Sequence, residues 1–232
     1  MADEIPTEWL FPPSLDGAAD IQRDMAARVV AEDALGPVRR LAGADISHNP
    51  RDPEGIVYAA MVTLALPALA PDGEAGAIDR ARFPDVPGFL GFREVPSLVE
   101  AYRRLPDPPD LIFVDGHGLS HPRGLGTASH LGVVLDRPTI GVAKRILVGR
   151  PAGELGEEPG DHVPLQWRGR TIGAVVRTKR RTNPVYVSVG HRISLPTAIN
   201  WVMRAAGGYR LPEPTRLAHL AANALRRLPP GP

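Results

Sequence analysis

The sequence predicts a single α/β domain in which a mixed β-sheet is flanked by helices. Two observations carry this prediction: three strand-like segments separated by turns come first, and strand-like and helix-like segments alternate after them. A chain of 232 residues with 43% apolar residues can bury one large core. We therefore expect one domain over residues 19–232, preceded by a loosely ordered, Pro- and acid-containing segment at 1–18.

The elements of the first half follow from hydrophobic spacing and from breaker-rich turns. Apolar residues recur near one helical face between residues 21 and 34, which predicts a surface helix. Two apolar runs, 41–47 and 56–66, are separated by the sequence NPRDPEG, which predicts a β-hairpin. A second turn over 67–76 then leads to a short third strand at 77–83.

The second half alternates between strands and helices. Two short, unbroken apolar runs at 111–114 and 139–142 are typical of strands that are buried on both faces. Two more strands are expected at 171–177 and 185–189. The expected helices cover residues 95–105, 127–135, 195–205 and 214–226.

Cysteine is absent from the sequence, which excludes disulfides and thiolate-bound zinc. Any metal must therefore bind to carboxylates, imidazoles or water, which favours a hard ion such as Mg²⁺. The sequence has neither an apolar run of membrane-spanning length nor the features of a secretory signal. We expect a soluble, cytoplasmic protein without a membrane partner.

The charges are divided unevenly along the chain, although the net charge is only +1. Residues 1–144 hold 13 Lys and Arg against 21 Asp and Glu, whereas residues 145–232 hold 14 against 5. An acidic half that holds cations beside a basic half that holds phosphates suits a metal-dependent enzyme acting on nucleic acid. Two differently charged solvated surfaces are the alternative interpretation.

Two aspartates, Asp45 and Asp115, each stand at the polar end of an apolar run. If the two strands are parallel neighbours, both carboxylates emerge at the same edge of the sheet, where open α/β sheets place their sites. Two anions there need a cation, and a pair of divalent ions is a known arrangement for hydrolysis of a phosphodiester. Alternatively, each aspartate only caps the turn that follows it.

The stretch at 86–94, VPGFLGFRE, is unusual for a loop because it is broken by glycines yet holds three large apolar residues. It suggests a backbone that closely approaches a flat ligand. The alternative is a packed loop that buries Phe89 and Phe92 in the core. Glu94, at its end, supplies a third oxygen ligand or serves the N-terminus of the following helix.

Residues 113–144 read FVDGHGLSHPRGLGTASHLGVVLDRPTIGVAK, a string long enough to be highly specific. Four shorter motifs accompany it in order along the chain: AGADIS at 42–47, PGFLGFRE at 87–94, VSVGHRIS at 187–194 and GYRLPEPTRLAH at 208–219. Together they resemble the endonuclease V family over roughly residues 20–226. The resemblance implies a ribonuclease H-like fold. It also implies hydrolysis of the second phosphodiester 3′ to deoxyinosine or inosine, leaving 3′-hydroxyl and 5′-phosphate ends.

The resemblance assigns roles to individual positions of this sequence. Asp45, Glu94 and Asp115 look like the family's metal carboxylates, for Mg²⁺ or alternatively Mn²⁺, and His219 looks like its C-terminal active-site histidine. Lys144 matches the lysine that steadies the developing charge or the attacking water. The chain has 25 arginines and only two lysines, so a lysine here fits a need for a compact ammonium. An ordinary helix-flanking charge is the alternative.

The resemblance also predicts how the substrate is held. His121 matches a histidine near the active site or the cleaved strand, whereas His117 and His130 are expected to form only local hydrogen bonds. The flipped base is expected in a pocket formed by backbone groups at Gly88, Leu90, Gly116 and Leu147. The basic stretch at 177–183 either contacts phosphates or is a solvated hairpin tip.

One position departs from the family pattern. Where relatives carry a wedge tyrosine that stacks in place of the lesion base, this chain has Asp85 in the sequence Pro-Asp-Val-Pro. Stacking on an aromatic ring contributes about 1–3 kcal/mol per base, so its loss predicts a preference for single strands or RNA. Two alternatives stay open: a protein that binds inosine without cutting, and a ribonuclease H-like nuclease with another target. We expect a monomer whose partner is inosine-containing DNA or RNA.

Overall fold

The computed structural model describes residues 5–228 of the chain. The elements of the first half are α1 (Thr7–Leu10), α2 (Leu15–Ala26), β1 (Arg40–His48), β2 (Ile56–Ala65), β3 (Ala70–Arg80), α3 (Leu90–Arg103) and β4 (Leu111–Val114). Those of the second half are α4 (Thr127–Leu135), β5 (Thr139–Ala143), β6 (Arg150–Pro151), β7 (His162–Trp167), β8 (Arg170–Val176), β9 (Val185–His191), α5 (Leu195–Arg204) and α6 (Glu213–Arg227).

The nine strands form one mixed sheet in the order β3-β2-β1-β4-β5-β9-β8-β7-β6. The first three strands are an antiparallel meander, β1 is parallel to β4, and β4 is parallel to β5. The remaining strands add antiparallel to β5 through β9. The predicted mixed sheet is confirmed, and the assumed parallel pairing of the strands that carry Asp45 and Asp115 is correct.

Helices cover both faces of the sheet. One core cluster joins α3 and α4 to the strand residues Ala42, Ala44, Ile112 and Val114, and Met25 of α2 belongs to it. On the opposite face, α5 packs against β5, β8 and β9, while α6 packs against β2 through Ala221 and Ala222. Within residues 5–228, no helix is both long and apolar enough to span a membrane.

Strand β3 is longer than predicted, because it begins at Ala70 and not at residue 77. Its first half contains Pro71 and Gly73, and the sequence pattern of such residues indicates a turn. The strand lies at the edge of the sheet, so one of its sides needs no hydrogen-bonding partner and proline is tolerated there. The prediction also omits β6 and β7 at the opposite edge, where most residues are exposed and the apolar signal is weak.

Helix α2 covers Leu15–Ala26, whereas the prediction places a helix over 21–34. The hydroxyl of Ser14 accepts a hydrogen bond from the Gly17 amide at 3.0 Å, which caps an earlier start. The chain leaves the helix after Ala26 because its backbone bonds elsewhere: the Val30 amide donates to His191 Nδ1 at 3.2 Å. Tertiary contacts thus set the end of this helix.

The segment at 1–18, predicted to be loosely ordered, is tied to the core from residue 5 onward. Ile5, Trp9 and Leu10 pack against the cluster between α3 and the sheet. His130 Nε2 donates to the Trp9 carbonyl at 2.6 Å. Residues 1–4 lie outside the described part of the chain. A single domain over 19–232 stays a prediction.

Candidate active site

The two aspartates predicted at one sheet edge lie on adjacent parallel strands. Residues Ala44 and Val114 pair directly, and the Asp115 amide donates to the Ala44 carbonyl at 3.0 Å. Asp45 follows Ala44 in the same strand, so the two carboxylates emerge side by side. Asp45 is buried, and Asp115 is partly exposed. The sheet register therefore places two carboxylates together at the carboxyl end of parallel strands.

His219 joins this pair from α6, on the face opposite to α3. Its Nδ1 donates to Asp45 Oδ2 at 2.7 Å, and its Nε2 accepts from the side-chain amide, Nδ2, of Asn223 at 3.1 Å. Ligand atoms of Asp45, Asp115 and His219 all lie within 4.8 Å of one another. Asn223 was not predicted, although its position four residues after His219 on one helix face was a usable signal.

Close packing at Gly43 allows α6 to reach the strand that carries Asp45. A Cβ atom at Gly43 would lie 1.8 Å from the carbonyl oxygen of Pro214, in the first turn of α6. Any larger residue would push the helix, and with it His219, away from the sheet. This glycine lies in the AGADIS motif, so the motif specifies helix packing as well as the carboxylate.

Glu94 approaches the aspartates from α3, which begins at Leu90 and so carries Glu94 within its first turns. The Thr127 hydroxyl donates to Glu94 Oε2 at 3.2 Å. Burial raises the pKa of Glu94 to about 8, and the neighbouring charges of Asp45 and Asp115 act in the same direction. Burial and then Asp115 also raise the pKa of Asp45 to about 6, against opposing effects of His219 and Lys144.

Lys144 follows β5, the next parallel strand, and reaches the same edge. Its ammonium forms an ion pair with Asp115 Oδ2. The structure thus brings all five predicted residues of the cluster together: Asp45, Glu94, Asp115, Lys144 and His219. Glu94 lies beside the three whose ligand atoms are mutually close, and it is not one of them.

This donor set fits a hard divalent cation. The side chains offer carboxylate oxygens and an imidazole nitrogen, which are suitable ligands for such an ion. The raised pKa values of Asp45 and Glu94 show that burial, together with repulsion between neighbouring carboxylates, makes their ionised forms costly. A divalent cation would relieve this repulsion and stabilise the ionised carboxylates. Asp45, Asp115 and His219 are placed to hold it, with Glu94 beside them.

The raised pKa of Glu94 has a consequence for stability that can be measured without any metal. Glu94 keeps its proton in the folded protein up to about pH 8, whereas the unfolded chain releases it near 4.5, so stability falls as pH rises between these values. We expect Glu94→Gln to raise the melting temperature in chelator by about 5–10 °C at the upper end of this window. The effect should be small at the lower end.

Thermal unfolding followed by circular dichroism, at pH 4.5 and at pH 8, measures the difference in melting temperature between the variant and the wild-type protein. Glu100→Gln is the matched control, because Glu100 lies on the same helix but has a half-exposed side chain, which pairs with Arg104 on the surface. A Glu94→Gln variant that melts at or below the wild-type temperature at the higher pH would contradict the assigned cause.

A cavity of about 270 Å³ opens beside the carboxylates. Every residue predicted for substrate binding lines it: Asp85, Gly88, Leu90, Gly116 and Leu147. Glu94 and Asp115 of the cluster also line it, as does His121. We call it the nucleobase cavity. Leu90 and Leu147 are 42% and 46% exposed, so they present apolar surface to an entering ligand. Sequence positions far apart thus form one pocket.

The backbone at Gly88 is fixed by three side chains. Its carbonyl accepts hydrogen bonds from Gln22 Nε2, His121 Nε2 and Arg123 Nη2 at 3.0, 3.1 and 2.6 Å. Gly88 has φ = +83°, a conformation that favours glycine. Gln22 and Arg123 were not predicted, and their polar side chains carry no sequence signal for this contact.

His121 has both ring nitrogens in hydrogen bonds that hold this loop. Its Nδ1 accepts from the Arg123 amide at 3.2 Å, while its Nε2 donates to Gly88. Burial, followed by the charge of Arg123, lowers the pKa of His121 to about 4, so the ring is neutral at pH 7. The geometry gives His121 a positioning contact at the cavity wall.

The remaining predicted features have separate outcomes. The packed-loop interpretation of the 86–94 stretch is confirmed at Phe92, which is buried against Phe83. The backbone of Gly88 lines the cavity, and its close approach to a flat ligand stays a prediction. His117 Nδ1 bonds locally to Ser120 Oγ at 3.0 Å, as predicted. His130 contacts Trp9, which is distant in sequence, and so the prediction of a local bond is wrong there.

The basic stretch at 177–183 is partly engaged with its own protein. The Arg177 guanidinium donates to the carbonyls of Gly156, at 3.1 Å, and Thr182. Arg180 forms an ion pair with Glu158. Two of the four basic side chains in this stretch are therefore bonded to other groups of the protein.

Comparisons with known proteins agree with this arrangement. A sequence profile of the endonuclease V family matches residues 23–220. An endonuclease V from Rhodospirillum centenum is 58% identical over 224 residues, which are 97% of this chain and 93% of that protein. An endonuclease V structure from Streptomyces avermitilis has a TM-score of 0.87 at 38% identity and covers 96% of both chains.

The catalytic domain of human endonuclease V has a TM-score of 0.85 at 34% identity, covering 93% of this chain and 98% of that chain. The mixed sheet with its flanking helices is therefore the ribonuclease H-like fold that the sequence resemblance implied.

Proposed function

Because the chain belongs to the endonuclease V family, we propose that it is a metal-dependent endonuclease directed to inosine or deoxyinosine. In this proposal it hydrolyses the second phosphodiester 3′ to that nucleotide and leaves 3′-hydroxyl and 5′-phosphate ends. The substrate is DNA or RNA, and the metal is Mg²⁺ or Mn²⁺.

The observation that carries the proposal is the shared wall between the nucleobase cavity and the carboxylate cluster. Glu94 and Asp115 line the cavity, and Asp115 also lies within the group formed with Asp45 and His219. A nucleotide whose base occupies the cavity therefore has its backbone beside the cluster. Recognition of one base and attack on a nearby phosphodiester require this proximity.

The side chains of the cluster have different roles in the proposed reaction. A divalent cation bound there would lower the pKa of a water molecule and stabilise negative charge on the phosphate. Asp45 is oriented by His219, which Asn223 holds in turn. The Lys144 ammonium, held at Asp115, adds a positive charge that steadies the charge developing on the phosphate oxygens.

The nucleobase cavity suits recognition of a flipped purine. Gly88 and Gly116 expose backbone atoms in its wall, and Leu90 and Leu147 offer apolar surface for the faces of the ring. Hypoxanthine carries a hydrogen on N1 and an oxygen at C6, where adenine has an acceptor and an amino group. Backbone groups fixed in position therefore discriminate the two bases by unpaired polar groups as much as by contacts.

The direct test is nicking of matched oligonucleotides that carry either one inosine or one adenine at the same position. Single- and double-stranded DNA and RNA are each incubated with Mg²⁺ or Mn²⁺, and product ends are mapped on sequencing gels. We expect cutting only of inosine strands and only with metal. Equal cutting of the adenine control would contradict base recognition, and tight binding without nicking would favour the non-cleaving alternative.

Asp85 is the position at which the substrate form is decided in this proposal. Its exposed side chain lines the mouth of the nucleobase cavity, where a carboxylate cannot stack on bases and repels phosphates. We expect Asp85→Tyr to raise kcat/KM on inosine-containing duplexes about tenfold, and to change single-strand cleavage little. Asp85→Asn, which removes the charge without adding a ring, separates repulsion from stacking. An unchanged duplex rate in Asp85→Tyr would rule out the wedge explanation.

A further inference from the structure

A second cavity, of about 480 Å³, adjoins the nucleobase cavity along the segment at 144–147, which contributes residues to the lining of both. We call it the arginine cavity, because Lys144, Arg145 and Arg210 line it together with Asn183 and Tyr186, and its lining includes no acidic residue. Leu147 faces the nucleobase cavity and Ile146 faces the arginine cavity. This segment of four residues is therefore a common wall.

Arg210 is held rigidly in this cavity. Its Nε donates to the Asn183 carbonyl at 2.9 Å, and its Nη2 donates to the carbonyls of Lys144 and Pro184 at 3.1 and 3.0 Å. Among residues 5–228, no acceptor is bonded to its Nη1. A guanidinium fixed by carbonyls, and not neutralised by a carboxylate, keeps its full charge for an external anion.

Arg145 and Asn183 complete the polar lining. Both are exposed. Arg145 forms neither an ion pair nor a side-chain hydrogen bond with any residue between 5 and 228. Together with Arg210, it places two guanidinium groups without acidic partners beside the active site. Two of the basic residues that follow residue 144 thus lie where a phosphate can bind to them.

The strand direction in the proposed function indicates which phosphate reaches this cavity. If the nucleotide in the nucleobase cavity precedes the cut, the strand passes Asp115 and then Lys144 on its way in the 3′ direction. Lys144 connects the carboxylate cluster to the arginine cavity. Its ammonium pairs with Asp115, and its backbone carbonyl accepts a hydrogen bond from Arg210. The arginine cavity is thus one lysine side chain away from the carboxylate cluster, which suits the phosphodiester next to the cleaved one.

We propose that the arginine cavity binds the phosphodiester that follows the cleaved one, that is, the third phosphodiester 3′ to inosine. The inference rests on the proposed function for the position of the base and the cut. It makes Arg145 and Arg210 substrate-binding residues and sets a minimum length for a good substrate. A strand that ends at the hydroxyl of the second nucleotide after inosine lacks this phosphate.

Binding measured without cleavage tests the proposal independently of the nuclease activity. Fluorescence anisotropy in chelator compares three single-stranded oligonucleotides with one inosine and the same 5′ part. The first ends at the second nucleotide after inosine, the second extends past the third phosphodiester, and the third is equally long but carries a neutral methylphosphonate at that linkage.

For the wild-type protein, we expect the extended strand to bind about tenfold more tightly than the other two, as for a hydrogen bond to a charged group. Arg145→Gln should reduce this difference, because only Arg210 then remains to bind the phosphate. It should also reduce the slope of log K against log salt for the extended strand by about 0.7. Arg103→Gln is the matched control, because that exposed arginine lies in the last turn of α3, at the end opposite to the site.

Equal affinities of the wild-type protein for all three strands would overturn the proposal, as would an undiminished length effect in Arg145→Gln. Neither result depends on whether inosine strands are cut, so a failure of the nicking test and a failure of this inference remain distinguishable.

Discussion

Replacing Asp115 with asparagine should lower the rate of metal-dependent cleavage of an inosine strand by at least about a thousandfold, since several kcal/mol of transition-state stabilisation are lost. Asp115 is the residue that joins the parts of the site. It lines the nucleobase cavity, pairs with Lys144 and lies within 4.8 Å of the ligand atoms of Asp45 and His219. An asparagine keeps the shape but removes the negative charge that a divalent cation requires.

The same variant should require a higher metal concentration for its residual activity, because one of the anionic ligands is gone. A titration of the initial rate with Mg²⁺ measures this shift. Asp79→Asn is a suitable control, since Asp79 is an exposed aspartate on the edge strand β3. Cleavage by Asp115→Asn at more than about one hundredth of the wild-type rate would contradict the assignment of the cluster.

Replacing Lys144 with methionine should lower kcat by about a hundredfold or more, which is the effect of removing one charged donor from a transition state. The ammonium is partly exposed and bound to Asp115, so its removal leaves the carboxylates more negative and does not weaken their attraction for a cation. We therefore expect the metal requirement to stay the same or to fall. That result separates the role of Lys144 from that of Asp115.

Two variants serve as comparators for Lys144→Met. Lys144→Arg keeps the charge but spreads it over a planar group, so it should recover only part of kcat. Lys179→Met changes the one other lysine of the sequence, which lies in an exposed hairpin and should leave kcat unchanged. A fall in metal affinity in Lys144→Met, with kcat preserved at saturating metal, would show that Lys144 acts only by organising the ligands.

The carboxylates show how much of the site can be predicted from the sequence alone. The apolar runs before Asp45 and Asp115 correctly predict strands, with Asp45 inside β1 and Asp115 directly after β4. The parallel pairing of these two strands, which brings the carboxylates together, depends on tertiary structure. His219 is separated from Asp45 by more than 170 residues, and only its resemblance to a family motif links them. The supporting contacts of Gln22 and Thr127 carry no pattern, because a polar side chain on a helix does not reveal its partner.

The predicted ends of some helices and strands are wrong for physical reasons of the same kind. Pro71 and Gly73 indicate a turn wherever the backbone needs two hydrogen-bonding partners, but β3 lies at an edge and needs one. The end of α2 depends on a bond from Val30 to His191, which local propensity does not contain. Long, strongly periodic segments such as α6 are predicted within one residue at each end.

The docking of α6 on Gly43 also determines when the active site is completed during synthesis of the chain. During synthesis the chain leaves the ribosome from its N-terminus, and domains fold as their residues emerge. Asp45, Glu94 and Asp115 are available long before His219, yet the site lacks one of its close ligand groups until α6 reaches the sheet. If the protein has the proposed function, an unfinished chain therefore has an incomplete metal site.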